Sequence, residues 1–328
     1  MTADTTDPSY WLNWRFLLCA LWILIAILGA ALLIWRYEGC NKSKSKERDN
    51  QREKVGTLYK DEAWTTCCKR IHPVWLLVYR VLGFSILLTV ILSDTIVHSP
   101  RIFYFYTEWT FSLVTVYFGM ASIFSIHGCI RYRNEVRAAD LVGSDAERGT
   151  YVAPTIEDNA NQHIMTRTLN SDEESYSRKP AGAWGYAFQI VFQTCAGAVV
   201  LTDIVFWFIL YPFLTSKDYK LDVLKVSMHS VNACVLLGEV ILNNLRFPFF
   251  RVAYFVLWTC IFVIFQWIVH ACVSIWWPYP FLDLSSPYAP LWYMGVGLLT
   301  IVCFGIFAAI MRLKKLCWSK IQACSSLG

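Results

Sequence analysis

Residues 16–35 read FLLCALWILIAILGAALLIW, and residues 36–54 behind them read RYEGCNKSKSKERDNQREK. The first stretch carries no charge. At about 1.5 Å of rise per residue, a helix of that length covers about 30 Å, the thickness of the hydrocarbon core of a bilayer. It is too long for the apolar core of a cleaved signal peptide, and a basic stop-transfer run follows it. The stretch reads as a retained membrane-spanning helix.

Working outward, the same pattern recurs six times, at about Val74–Val97, Phe103–His127, Tyr186–Leu214, Leu224–Leu245, Ala253–Trp276 and Pro290–Met311. Only 16% of the 328 residues are charged, against roughly 25% in soluble domains, and the deficit falls in these runs. Lipid offers no partner to a backbone N–H or C=O, so each run is expected to be helical. The expected fold class is all-α, a polytopic membrane bundle of about seven transmembrane helices. Residues 1–35 form the amino terminus and first helix, 36–73 a basic loop, 74–311 a six-helix core, and 312–328 a basic tail. The core is interrupted at 131–183 by a polar segment with too few large apolar residues to bury, expected to be disordered. Aromatic residues at the ends of the runs (Tyr104, Phe105 and Tyr106; Trp276 and Trp277; Trp292 and Tyr293) suit the interfacial belts.

Lys and Arg set the orientation. The loops 36–72, 128–183 and 246–252 and the tail hold 23 of the 29, the opposite face holds 5, and Arg80 lies within a run. The positive-inside rule puts the basic face in the cytosol, so the amino terminus is outside and the carboxyl terminus cytosolic. Asn41-Lys42-Ser43, the one glycosylation sequon, falls on the cytosolic side and is expected to stay unmodified. The endoplasmic reticulum and the plasma membrane fit equally well.

The net charge of +5 is spread over these loops and marks no nucleic-acid surface, so no nucleic-acid partner is expected. Of the twelve cysteines, Cys19, Cys195, Cys234, Cys260 and Cys303 lie inside apolar runs and read as small fillers, while Cys40, Cys67, Cys68, Cys129 and Cys317 flank runs and are candidates for palmitoylation. No Cys-x-x-Cys pair, His-Glu-x-x-His, Gly-x-Ser-x-Gly or phosphate-cradling loop is present, and neither a metal nor a cofactor is expected.

Ionisable groups inside spans are costly and become functional candidates. Arg80 either snorkels or pairs inside the bundle. Asp94 and His98 read as wetted, Asp203 and Glu239 as paired within the bundle, and Asn232, Asn243 and Asn244 as helix–helix hydrogen bonders. Glu108 lies near the outer end of its run. Thr107, His229 and His270 come to similar depth below the outer interface, where a hydroxyl and an imidazole make a nucleophile–base pair.

Three stretches carry a resemblance. Phe105-Tyr-Thr-Glu-Trp-Thr-Phe111 leads to Val116-Tyr-Phe-Gly119. Met228-His-Ser-Val-Asn232 leads to Leu237-Gly-Glu239. Trp267-Ile-Val-His270 is followed by Tyr279-Pro-Phe-Leu-Asp283. In order and spacing these resemble the androgen-induced protein and rolling-stone family, over roughly residues 75 to 311. That family has six spans, and some members hydrolyse fatty acid esters of hydroxy fatty acids. The resemblance implies a threonine-dependent hydrolase of lipid esters, with Thr107 as nucleophile and His229 as essential histidine. His270, Asn232 and Glu239 are supporting candidates. The chain departs from the family in its additional first span, its long loop between spans three and four, Glu108–Trp109 after the threonine, and a single histidine, His270, where two are common. It is more similar to plant and rolling-stone-like members than to the hydrolases. The expected partners are membrane lipids, a lipid ester substrate, and proteins at the loop 131–183, where Ser171, Ser175 and Ser177 are phosphorylation candidates. The alternative is a non-catalytic scaffold or a receptor-like signalling protein, although the Asp-Arg-Tyr and Asn-Pro-x-x-Tyr receptor signatures are absent.

Overall fold

The computed structural model describes residues 4–39, 58–68, 71–147, 180–214 and 222–326. Cys40, Asn41, Ser171, Ser175, Ser177 and residues 148–179 of the polar segment lie outside these residues. The described chain is helical, and seven of its helices are long and apolar enough to cross a membrane. The protein is an integral, multi-pass membrane protein.

The first span is α1 (Trp14–Ile34), which runs on as a π turn to Gly39. Then come α2 (Pro73–His98), α3 (Tyr106–Glu147) and α4 (Ala183–Val205), the last continuing as wider π turns to Leu214. The fifth span is two pieces, α5 (Val223–Met228) and α6 (Val231–Leu242). Last are α7 (Val252–Cys272) and α8 (Ala289–Ser326).

Three of these differ from the sequence expectation. Residues 131–147, expected to be disordered, continue α3: residues 131–142 contain neither Gly nor Pro, and Arg131 pairs with Glu135 one turn on, at 2.7 Å. A helix needs no buried face to persist for a few turns past the bilayer when propensity and i,i+4 pairs favour it. The fifth run is not one helix but breaks at His229–Ser230. The sixth ends at Cys272, four residues before Trp276, ahead of the proline-bearing stretch Trp277-Pro-Tyr-Pro280.

At the centre stands α4, touching α3, α6, α7 and α8. Phe188, Gln189, Phe192, Cys195, Ala196 and Val199 are buried around it. It meets α7 at Gly197, where an added Cβ would collide with the Phe255 ring. Two aromatic-rich clusters fill the interior. One, around Tyr117, Phe188 and Phe192, ties α3 to α4. The other, around Phe255, Phe262, Tyr279 and Phe304, ties α7, α8 and the 273–288 segment together.

Arg80 on α2 is fully buried and does not snorkel. Its Nη2 donates to Glu239 Oε1 at 2.6 Å, and its Nη1 donates to the Ser125 hydroxyl at 2.7 Å and the Ala63 carbonyl at 2.8 Å. The Tyr117 hydroxyl donates to the same Glu239 oxygen at 2.8 Å. Both charges are thus paired and hydrogen-bonded, the condition under which buried ions are tolerated. Glu239 is the counter-ion that lets α2, α3 and α6 pack.

α1 is peripheral, resting on α7 and α8 with only Cys19 and Ala30 buried. It is held at both ends. Outside, Asn13 caps its first turn, and the Tyr10 hydroxyl just before it donates to Asp283 at 2.8 Å while accepting from the Trp277 indole and the Leu284 amide, each at 3.1 Å. Burial and the Asp283 carboxylate raise the Tyr10 phenol above its usual range, so it stays a neutral donor. On the cytosolic side Glu38 accepts from Arg251 at 3.0 Å and from the Tyr254 hydroxyl at 2.5 Å. Tyr10→Phe removes the acceptor of the Trp277 and Leu284 N–H groups and one of two donors to Asp283 Oδ1, which keeps the Ser285 amide. It is expected to cost about 1–3 kcal/mol, read as a lower midpoint of thermal unfolding in nanodiscs. A wild-type midpoint would show that the clamp carries no stability.

Candidate functional site

Thr107 is the second residue of α3. Its helix starts there because Pro100 opens a 3₁₀ turn, Pro100–Tyr104, that delivers the chain to Tyr106. The Tyr106 amide then donates to the Tyr279 hydroxyl at 2.9 Å, so an otherwise unpaired N–H of the first turn is satisfied from the 273–288 segment. Thr107, 8% exposed, follows Tyr106 in the chain and lines the same cavity as the Tyr279 side chain. Burial and the nearby Glu108 charge hold the Tyr279 phenol above its usual range, so it too is a neutral group.

His229 occupies the break in the fifth span. Asp222 caps α5 through the Val223 amide at 2.7 Å, the helix lasts six residues, and His229 leaves it with φ −105° and ψ 6°. The ring is fixed from one side. Phe206 of α4 stacks flat on it, with centroids 3.7 Å apart and planes 6° from parallel, and Trp207 donates to the His229 carbonyl at 3.3 Å. Asp203 lies three residues before Phe206, on the same face of α4. Its Oδ1 is 3.8 Å from His229 Nδ1. That exceeds hydrogen-bond reach, and both atoms are buried with no hydrogen-bond partner among the described residues.

Thr107 and His229 line one cavity of about 50 Å³, together with Tyr106, Thr202, Phe206, Thr259, Phe262, Tyr279 and apolar side chains of α4, α7 and α8. At roughly 10–15 Å³ per water, this is room for a few waters or one polar head. The cavity thus holds a hydroxyl and an imidazole, with a carboxylate behind the imidazole. These are the group types of a nucleophile, its base and the residue that orients the base.

The other sequence candidates lie elsewhere and do not line this cavity. His270 is fully buried, stacked on Trp277 with centroids 3.7 Å apart, its Nδ1 bonded to the Gln266 carbonyl at 2.8 Å. Asn232 is buried, with Oδ1 accepting from the next amide at 2.8 Å. Glu239 is engaged with Arg80. Asp94 is 3% exposed and bonded to His98 at 2.9 Å. It is therefore not wetted as expected, and only His98 keeps substantial exposure. Glu108 is buried, with one carboxylate oxygen unpartnered among the described residues. No trio of His, Cys, Asp or Glu among the described residues is placed to hold a metal.

Two site residues escape sequence reasoning. Asp203, close to the middle of its run, reads from the sequence as paired within the bundle, without its neighbour His229 being identified. The π turns after Val205 put more residues into each turn, so the chain climbs less far than an α-helix and Asp203 comes closer to the outer face. Tyr279 lies in a short loop where nothing in the sequence fixes which helix it meets.

No protein family, curated protein or solved structure matches the chain.

Proposed function

We propose that the protein is a membrane-embedded hydrolase of lipid esters, acting as the androgen-induced protein and rolling-stone family resemblance implies. The observation that supports this reading is the shared cavity of Thr107 and His229, with the Asp203 carboxylate behind the imidazole. The Thr107 oxygen attacks the ester carbonyl as His229 takes its proton. The tetrahedral intermediate expels the alcohol, which receives that proton, and leaves an acyl-threonine. Water, deprotonated by His229, then releases the fatty acid and restores the hydroxyl. The Tyr279 hydroxyl is a neutral donor lining the same cavity. Its part is to steady the oxyanion. The 3.8 Å between Asp203 and His229 shortens when the imidazole becomes cationic, as such contacts tighten in the reacting complex.

The direct test is labelling of purified protein with a fluorophosphonate that traps activated hydroxyls. Wild-type protein labels and Thr107→Ala does not. Equal labelling of the two would remove Thr107 as nucleophile. Asp203→Asn keeps the shape and removes the charge. It is expected to slow hydrolysis of a long-chain ester by at least about 10-fold and at most the roughly 10⁴-fold seen when a hydrogen-bonded triad carboxylate is lost, with the thermal midpoint nearly unchanged. An unchanged rate would show that the carboxylate plays no part.

A further inference from the structure

A second, larger cavity of about 510 Å³ runs between α1, α7 and α8, in the size range of small-molecule pockets. Its walls are nearly all apolar. Each helix contributes a stretch of about ten residues: Trp22 to Leu33 of α1, Val252 to Val263 of α7 and Trp292 to Ile301 of α8. The stretches are offset along the bundle: Val252 and Leu33 lie near the Glu38–Arg251 end and Leu282 and Trp292 near the Asp283 end, so the groove runs along most of the length of the spans, more than the roughly 15 Å of one leaflet that an acyl chain covers. Water does not fill an apolar cavity of this kind. Small residues keep it open: a Cβ added at Gly29 or Gly297 meets nothing within 4 Å. Five residues, Thr259, Val263, Phe281, Leu282 and Val296, line both this groove and the cavity of Thr107 and His229.

We infer that the groove between α1, α7 and α8 binds a single acyl chain drawn from the bilayer and lays it against the wall it shares with the Thr107–His229 cavity. The occupant is an acyl chain because the groove is apolar, lies within the spans, is long enough to hold one chain lengthwise and borders the small cavity of Thr107 and His229, which has room for little more than the ester group. The role of that chain as the acyl part of the substrate rests on the hydrolase reading, whereas its binding does not. The first helix then has a function beyond anchoring, since it forms one wall of the groove.

The test uses full-length protein in nanodiscs of phosphatidylcholine doped with phosphatidylcholine bearing a diazirine near one acyl terminus, photolysed and mapped by peptide mass spectrometry. Label is expected on the groove stretches of α1 and α8. Gly29→Phe or Gly297→Leu fills open space and should lower that label several-fold. Gly295→Phe, also in open space but outside the groove, should leave it unchanged. Thr107→Ala should label like wild type, which separates binding from chemistry. The same variants are assayed on 4-nitrophenyl palmitate and 4-nitrophenyl acetate: the filled groove should lose palmitate turnover several-fold more than acetate turnover. If groove label is unaffected by Gly29→Phe and Gly297→Leu, the inference is overturned whether or not esters are hydrolysed. If groove label falls as expected and no ester is turned over by wild type, the groove stands and the hydrolase reading fails.

Discussion

Glu239→Ala is expected to destabilise the protein by about 3–5 kcal/mol, the scale of leaving one ion of a buried pair without its partner. Arg80 is fully buried, and its guanidinium has no water within reach to replace the carboxylate. Its remaining acceptors are two carbonyls and the Ser125 hydroxyl, none of which carries charge. The Tyr117 hydroxyl loses its acceptor in the same step. The measurement is thermal unfolding in nanodiscs, with the amount of protein recovered on expression as a second reading. The double variant Arg80→Met, Glu239→Leu removes both charges and should recover much of the loss, since apolar replacement of a whole buried pair is often neutral or better. A single variant that melts like wild type would show that the pair is dispensable.

His229→Ala and Thr107→Ala carry the largest expected effect on activity. Removing a general base costs about 10²–10⁴ in rate, and nucleophile and base act as one unit, so the double variant should be little worse than either alone. Thr107 and His229 are 8% and 9% exposed and hold no other element in place through their side-chain polar atoms, so both variants should unfold near the wild-type temperature. His229→Phe preserves a flat ring against Phe206 and should also be inactive. Retained ester hydrolysis by either alanine variant at the wild-type rate would show that the cavity is not where the chemistry occurs.

The number of spans was legible because about twenty uncharged residues can do little else than cross the bilayer. The pairing inside the bundle was legible only in kind. That Arg80 would be expensive in lipid is a property of one residue, whereas its choice of Glu239 depends on how α2, α3 and α6 lean together, 159 residues apart in the chain. The break at His229 was hidden by composition, because Val223–Leu242 is apolar enough on average to read as one span and mean hydropathy does not register a kink. Residues 131–147 misled for the opposite reason. Polarity excludes a buried core but does not exclude a helix, and a rigid membrane segment propagates its geometry outward. Thr107 and His229 were readable by depth and by resemblance. Asp203 was not, since the wider turns above it shift the depth count.

The clamp on α1 bears on how the protein is made. Tyr10 and its acceptor Asp283 are 273 residues apart. At roughly 5–20 residues per second of synthesis, the earliest made of these seven helices waits on the order of ten to fifty seconds for the ribosome to deliver its partners. During that wait it must survive alone in lipid, which accounts for its being the most apolar of the seven and carrying no charge from Phe16 to Trp35. Its arrival against α7 and α8 is then a closing event in assembly, and premature release of the nascent chain would leave it adrift.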